Sequence, residues 1–439
     1  MSTPLYGGTN QPVIATDSPD SAALYRKLAW RIMPFLFFAF IVAYIDRVNV
    51  SFAKLQMLAD LSLSETVYGT GAGIFFLGYF IFEVPSNLIL HRVGARLWIA
   101  RIMVTWSVVS CATMFISGAT SFYVLRFLLG VAEAGFVPGV VVYLSAWFPS
   151  SKRSHIMALF MAAIPVSGAI GGPMSGWVLL RLAGFQGLAG WKWLFLIEGL
   201  ASLLAGIAAF FILHDRVEQV TWLSNNEKAL LAHDLEADQL TRTFHTVHSA
   251  FASPKVWLFS MLYFCIAMGN YGLVFWMPTM IRAGGVASVV NIGLLSAVPS
   301  MISAVSMILV ARHADKHNER HVHIAVCAVL GAAGMLASVL LVHHLWWSMV
   351  ALVVAAVGIN SIGPVFWGLP TALMGGVGAA AAIAVINCTG NLAGFASAYL
   401  VGWLKDKTGQ LLPGMIVLAF ALVLAAGIVL CMPKKGREV

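Results

Sequence analysis

Arg126, Gly130 and Glu133 stand at i, i+4 and i+7 within an apolar stretch, residues 123–147, that is long enough to cross a bilayer. This spacing puts all three on one face of a helix. A cation and a carboxylate inside a membrane persist mainly where they face a cavity or a partner. The chemistry such a pair can perform is capture of an anion by a guanidinium, next to a carboxyl that loads and releases a proton. A second charged pair, Asp46-Arg47, lies in the first apolar stretch. Together these residues mark a polar, ion-handling path through an otherwise greasy chain.

Each of these residues also has a plainer reading. Arg47 is read as a second anion ligand; its alternative is a structural partner of Asp46 that ties the first helix to a neighbour. Adjacent residues on a helix point about 100° apart, so the two cannot both face one direction. Asp46 is read as a coupling or gating carboxylate. Arg126 has no acidic neighbour in sequence, which favours the ligand reading. Glu133 is read as a proton carrier, its alternative being an interhelical hydrogen bond. Glu83, beside Pro85, is expected to clamp against Arg92 or Arg153, and Glu198 to make a structural pairing. Tyr44, Tyr271, Trp276 and Trp367 could line an aromatic pocket or pack at the membrane interface. His317, His321 and His323 read as a solvated stretch rather than a metal site. The five cysteines form no CxxC pair and read as packing residues.

The elements that must position these groups follow from composition. The 439 residues are 60% hydrophobic and 10% charged, against the roughly 25% charged of a soluble domain. Apolar runs sufficient for membrane helices fall at 31–52, 66–90, 97–118, 121–148, 154–180, 192–213, 256–281, 291–311, 321–342, 345–374, 378–403 and 412–432. The expected fold is therefore all-α and integral to the membrane, with twelve transmembrane helices. Residues 1–28 read as a disordered tail, 29–213 and 256–432 as two six-helix bundles, 214–255 as a polar linker with a short helix, and 433–439 as a second tail. Eighteen Lys and Arg fall on the side of the termini and six on the other, so both termini are expected in the cytoplasm. The net charge of +8 is spread over short loops and does not indicate nucleic acid.

The two halves repeat. Gly168, Gly172, Gly176 and Trp177 return 226 positions later as Gly394, Ala398, Gly402 and Trp403, and Gly130-x-x-Glu133-x-Gly135 returns 228 positions later as Gly358-x-x-Ser361-x-Gly363. Parallel repeats of this kind belong to secondary transporters whose site lies between the halves. Glu133 is matched by Ser361, so the carboxylate belongs to one half only. At 1.5 Å per residue, Arg47 and Arg126 are both expected in the outer third, with Glu133 about 10 Å deeper than Arg126.

The chain resembles the major facilitator superfamily, and within it the anion:cation symporter family, which includes phthalate, tartrate, hydroxyphenylacetate, hexuronate and galactonate permeases and the vesicular glutamate transporters. The resemblance covers roughly residues 28–432. It rests on AYIDRVNVSFA (43–53), GIFFLGYFIFEVPSN (73–87), HRVGARLWIARI (91–102), FYVLRFLLGVAEAGFVPG (122–139), YGLVFWMPTMIR (271–282) and GNLAGF (390–395). The superfamily's loop after the second helix usually carries an Asp-Arg pair. Here His91-Arg92 stands there, and the acidic version, Asp315-Lys316, is kept only in the second half. The resemblance implies anion capture by Arg47 and Arg126, proton coupling through Asp46 and Glu133, substrate contacts from Tyr79 and Asn391, and gating by Glu83, Arg92 and Asp315.

The expected function is a proton-coupled symporter that imports an organic carboxylate, aromatic or small and phthalate- or tartrate-like, by alternating access. The alternatives are a sugar-acid symporter and an efflux antiporter. Ile164 stands where a sugar-acid carrier is expected to present an amide, which favours a less hydroxylated substrate. No nucleophile-base constellation, HExxH motif or soluble cofactor domain suggests an enzyme. No cofactor or metal is expected, the proton gradient being the drive. The setting implied is a bacterial inner membrane, with a small organic anion, protons and lipid as partners and a monomeric carrier.

Overall fold

The structure, a computed structural model, describes residues 19–240, 253–317, 319–373 and 378–432. Twelve helices among the described residues are long and apolar enough to cross a membrane. Spans 1 to 6 run over Ser21–Asp60, Glu65–Leu90, Ala95–Phe115, Ala119–Ser145, His155–Arg181 and Gly190–Ile212. Spans 7 to 12 run over Pro254–Ala283, Val289–His317, Arg320–Leu340, Leu345–Pro370, Ala382–Thr408 and Leu412–Cys431. No strand occurs among the described residues.

The packing repeats as the sequence does. Span 3 packs on span 6 and span 2 on span 4, while span 9 packs on span 12 and span 8 on span 10. Span 1 lies against spans 5 and 6, as span 7 lies against spans 11 and 12. The halves meet through span 2 along span 11 and span 5 along span 8. Glycine lets these backbones touch: a Cβ on Gly172 would stand 2.7 Å from the Gly293 carbonyl oxygen, and one on Gly176 would stand 2.6 Å from that of Val289. Twelve spans put the start of span 1 and the end of span 12 at one end, here the near end. The contacts of Gly172, Gly176 and Gly69 lie toward the other, far end.

Two boundaries differ from the sequence expectation. The first helix begins at Pro19, so residues 19–28 are helical rather than part of a disordered tail. The reason is tertiary: the Tyr25 hydroxyl donates to Asp234 at 2.7 Å and Lys27 pairs with Glu227 at 2.9 Å, both carboxylates belonging to the linker helix Asn225–Leu240. The Ser224 backbone N–H, and then Lys27, hold the Glu227 carboxyl below the usual glutamate range. The remaining tail and linker residues, 1–18, 241–252 and 433–439, lie outside the described residues. At its other end span 1 continues past residue 52 to Asp60, after a break at Asn49.

Span 4 is broken as well, into Ala119–Glu133 and Phe136–Ser145. Pro138 explains where: its ring would clash with the carbonyl four residues back, that of Ala134. The chain instead leaves the helix at Ala134 and turns through Gly135 at φ +90°. Ser86 of span 2 donates to the Ala134 carbonyl at 2.7 Å and accepts from Trp98 Nε1 at 3.0 Å, so the interrupted ladder keeps a partner. Glu133 consequently closes the first half-helix. Gly135→Ala would impose both a left-handed alanine and a Cβ 2.8 Å from the Ser86 Cβ. It is expected to cost about 1–3 kcal/mol, read as a lowered melting temperature of the purified protein, with Ser86→Ala lowering it less.

Candidate substrate and proton site

Three spans place the charged groups. Arg47 of span 1 crosses to Glu133 at the break in span 4: its Nε donates to Glu133 Oε1 at 3.1 Å and its Nη2 ion-pairs with the same oxygen. Both residues are buried, Arg47 at 8% and Glu133 at 2% exposure. Phe75 of span 2 lies between the two arginines, its ring centre 5.3 Å from the Arg47 guanidinium carbon and 5.2 Å from that of Arg126. Tyr79, one turn on, stands 5.5 Å from Arg47. Cation–π attraction of this kind is stronger out of water.

Arg126 is fully buried, and its partners are two long contacts to backbone oxygens, Nε to Gly71 at 3.3 Å and Nη2 to Arg47 at 3.4 Å. Its Nη1 has no hydrogen-bond partner among the described residues. A buried guanidinium that lacks a carboxylate and holds an unused donor is costly on its own and suited to a bound anion.

The expected depth of Arg47 is corrected by the length of span 1. Because the helix runs on to Asp60, Arg47 lies about 20 Å from the far end rather than near it. It therefore shares a level with Glu133 instead of standing beside Arg126 alone. The sequence reading paired Arg47 with Asp46 or with substrate, and missed Glu133 as its partner.

Asp46 faces away from this group. Its carboxylate accepts from Trp106 Nε1 at 3.1 Å, Ser110 Oγ at 3.0 Å and Ser202 Oγ at 2.5 Å, inside the first half between spans 3 and 6. The 100° step between neighbours puts Asp46 and Arg47 in different surroundings, as expected. Glu198 accepts from Ser175 at 3.0 Å, in line with a structural pairing.

The gating residues separate. Glu83 meets neither Arg92 nor Arg153: it accepts from Asn387 at 3.4 Å and from Cys388 at 3.3 Å, both on span 11. Asn391, one turn further along that span, lies beside Glu83, and its Nδ2 has no hydrogen-bond partner among the described residues. Arg92 is exposed, and Asp315 pairs with Arg320 at 3.2 Å at the near end. Ile164 lines a small cavity of about 70 Å³ together with Tyr44, Val274, Met277, Ser296, Ser300 and Asn360.

The histidines lie in an exposed stretch at the near end, as read from the sequence. The rings of His313 and His317 of span 8 lie 4.2 Å apart, tilted by 34°, and His313 contacts His323 of span 9 at 2.7 Å. No group that could hold a metal occurs among the described residues.

Sequence reasoning gave no role to Lys54, which is 4% exposed and surrounded by groups from both halves. The signal was present, since Lys54 follows Arg47 by seven residues and so shares its face of the helix.

Comparison with known proteins agrees with this geometry. The Major Facilitator Superfamily profile matches residues 36–398. The "Putative metabolite transport protein NicT" of Pseudomonas putida is 46% identical over 415 residues, covering 94% of this chain and 95% of that one. A "Putative tartrate transporter" of Agrobacterium vitis is 45% identical over 419 residues, covering 95% and 93%. Among solved structures, a bacterial homologue of the human lysosomal transporter Spinster, in an inward-facing and occupied conformation, has a TM-score of 0.74 at 17% identity, covering 92% and 96%, and supports the fold. Repeat, broken span and paired arginines thus belong to a membrane transporter of the major facilitator superfamily, in its anion:cation symporter family.

Proposed function

We propose that this transporter imports an organic carboxylate together with protons across a bacterial inner membrane, by alternating access, with both termini in the cytoplasm. The observation that carries the reading is Arg126: buried, without a carboxylate, and with Nη1 unused beside the Arg47–Glu133 pair.

Coupling follows from competition. The substrate carboxylate and Glu133 both seek Arg47, and a guanidinium gripped by Glu133 has less to offer a ligand. A proton on Glu133 weakens that grip and turns Arg47 toward the substrate, so proton and anion bind better together than apart. Asp46, held by three donors on the other face of span 1, is a second candidate for proton binding. Its route to the substrate would run through the helix rather than through contact.

The aromatic groups around Arg47, with the apolar Ile164 in place of an amide, favour an aromatic or small, lightly hydroxylated acid over a sugar acid. The relatives named as tartrate and metabolite transporters support the organic-acid class. The test is uptake into liposomes containing purified protein, driven by an inward-directed proton gradient, acid outside. The panel comprises benzoate-like, phthalate-like, tartrate-like and sugar-acid anions. Accumulation of one acid, abolished by a protonophore, is the expected result; saturable uptake of none of them would end the reading.

A further inference from the structure

At the near end the first half and the linker form a second cavity, of about 400 Å³, apart from the Arg47–Arg126 site. Trp30 and Arg31 of span 1, Phe211 of span 6, Tyr143 and Trp147 at the end of span 4, and Trp222 of the linker line it. Three spans change character at this level. In span 1 a run of apolar residues, 32–45, begins directly after Trp30-Arg31. The apolar run of span 6 ends at Leu213, before His214-Asp215-Arg216, and span 4 gives way to Pro149 and then Lys152-Arg153. Trp and Arg together at such a boundary mark the level of the lipid headgroups.

We propose that this cavity seats the headgroup of an anionic phospholipid from the leaflet at the near end, with Arg31 holding the phosphate and the acyl chains lying along the outer faces of spans 1 and 6. The site does not depend on which anion is carried.

Two features select a lipid. First, the charge suits a phosphate. Arg31 is exposed and its side chain makes no hydrogen bond or ion pair among the described residues. Other cations at this end are already engaged: Lys27 pairs with Glu227, and Arg96 donates to the Phe210 carbonyl at 2.9 Å. Asp215, next in sequence to His214 of the cavity wall, accepts from the Arg96 backbone N–H at 2.8 Å. The rest of the wall is aromatic, with Trp147 stacked on Trp222 at 6.3 Å between ring centres. Such rings offer an apolar body at the level where one end of a ligand is wet and the other dry.

Second, the flanks suit hydrocarbon. Spans 1 and 6 pack on each other, and Phe211, at the cavity, is 76% exposed. Leu204, Ile207 and Phe211 are all exposed and recur at three and four residues, so one apolar face of span 6 points outward. Phe38, also exposed, lies two turns into span 1 from Arg31 on the same face of that helix. A soluble phosphate would leave these faces unused, whereas a phospholipid joins them to Arg31. Basic pockets between membrane helices hold anionic headgroups by this combination.

The test is calorimetric titration of the whole purified chain, in uncharged detergent at fixed low salt, with dioctanoyl phosphatidylglycerol. Phosphatidylcholine with the same chains, glycerol 3-phosphate and inorganic phosphate are titrated alongside. Phosphatidylglycerol is expected to bind saturably and about fivefold more tightly than phosphatidylcholine. Arg31→Gln is expected to remove that preference. Arg26→Gln, at an exposed arginine that does not line the cavity, is expected to keep it. Equal affinity for the two lipids in the parent protein, or an undiminished preference in Arg31→Gln, would overturn the site. An equal loss in Arg26→Gln would overturn it too, marking a general attraction of the basic surface. Glycerol 3-phosphate or inorganic phosphate binding as tightly as the lipid would do the same, marking a site for a soluble anion. Arg31 is exposed, so its glutamine variant is expected to fold, and the comparison of headgroups in the parent protein decides without it.

Discussion

Arg126→Ala is expected to lose substrate binding by about a hundredfold or more while the protein still folds and inserts. The size follows from burial. Removing one partner of a desolvated charge pair costs about 2–5 kcal/mol, and here the lost partner would be the ligand's main cation. Retention of the fold follows from the two contacts Arg126 makes, which are long and go to backbone oxygens. Removing the side chain also takes an unpaired charge out of the membrane, a change that by itself favours the folded state. Arg126→Lys should restore binding poorly, within about tenfold of the alanine variant, because a single ammonium cannot reproduce a two-pronged grip. The measurement is equilibrium binding of a transported acid to purified protein, alongside the melting temperature without ligand. An alanine variant that binds normally would remove Arg126 from the site. A variant that melts much lower and binds nothing would instead mark it as a structural cation, and the lysine variant separates the two by keeping the charge.

Much of this was legible in the chain because the membrane penalises ambiguity. An apolar run of some twenty residues has few places to go in a fold, and the 226-residue offset of the span 5 and span 11 glycines points to two like halves. Arg126 and Glu133 were legible for the same reason: a charge inside such a run needs a purpose. What stayed hidden were the partners. Arg47 and Glu133 are 86 residues apart, and their contact depends on how far span 1 runs beyond residue 52 and on the break that Pro138 forces at Ala134. Periodicity gives a residue's face, not its height against a neighbouring helix. Glu83 shows the same limit. Nearby cations in sequence suggested a clamp, whereas the packing of span 2 on span 11 supplied Asn387 and Cys388. Lys54 stayed hidden because a lysine near a helix end ordinarily reaches water, whereas here spans 2 and 7 cover it.

Glu133→Gln is expected to uncouple transport from protons while sparing substrate exchange. In the structure Glu133 uses one carboxylate oxygen to hold both Nε and Nη2 of Arg47. The amide keeps the shape and an acceptor oxygen but carries no charge, as a protonated glutamate does, so Arg47 is left permanently available to the ligand. The loaded carrier should then cross and return normally, and exchange between two substrate-filled compartments should persist. Net accumulation is different. With no proton bound or released at this site, the pH gradient does no work on the substrate, and the steady-state concentration ratio should fall to about one. The pH dependence of binding follows with its sign fixed by the competition. In the parent protein low pH protonates Glu133 and releases Arg47, so affinity is highest there. As pH rises and the carboxylate reclaims Arg47, affinity should fall by up to about tenfold per unit for one linked proton. In the glutamine variant the profile should be flat and fixed near the low-pH value. Exchange and gradient-driven uptake are to be measured in the same liposomes, with binding followed across pH. A glutamine variant that still concentrates substrate on a pH gradient would clear Glu133 of the coupling role and pass it to Asp46, whose three donors and full burial would then have to be explained as a proton site rather than a brace between spans 1, 3 and 6.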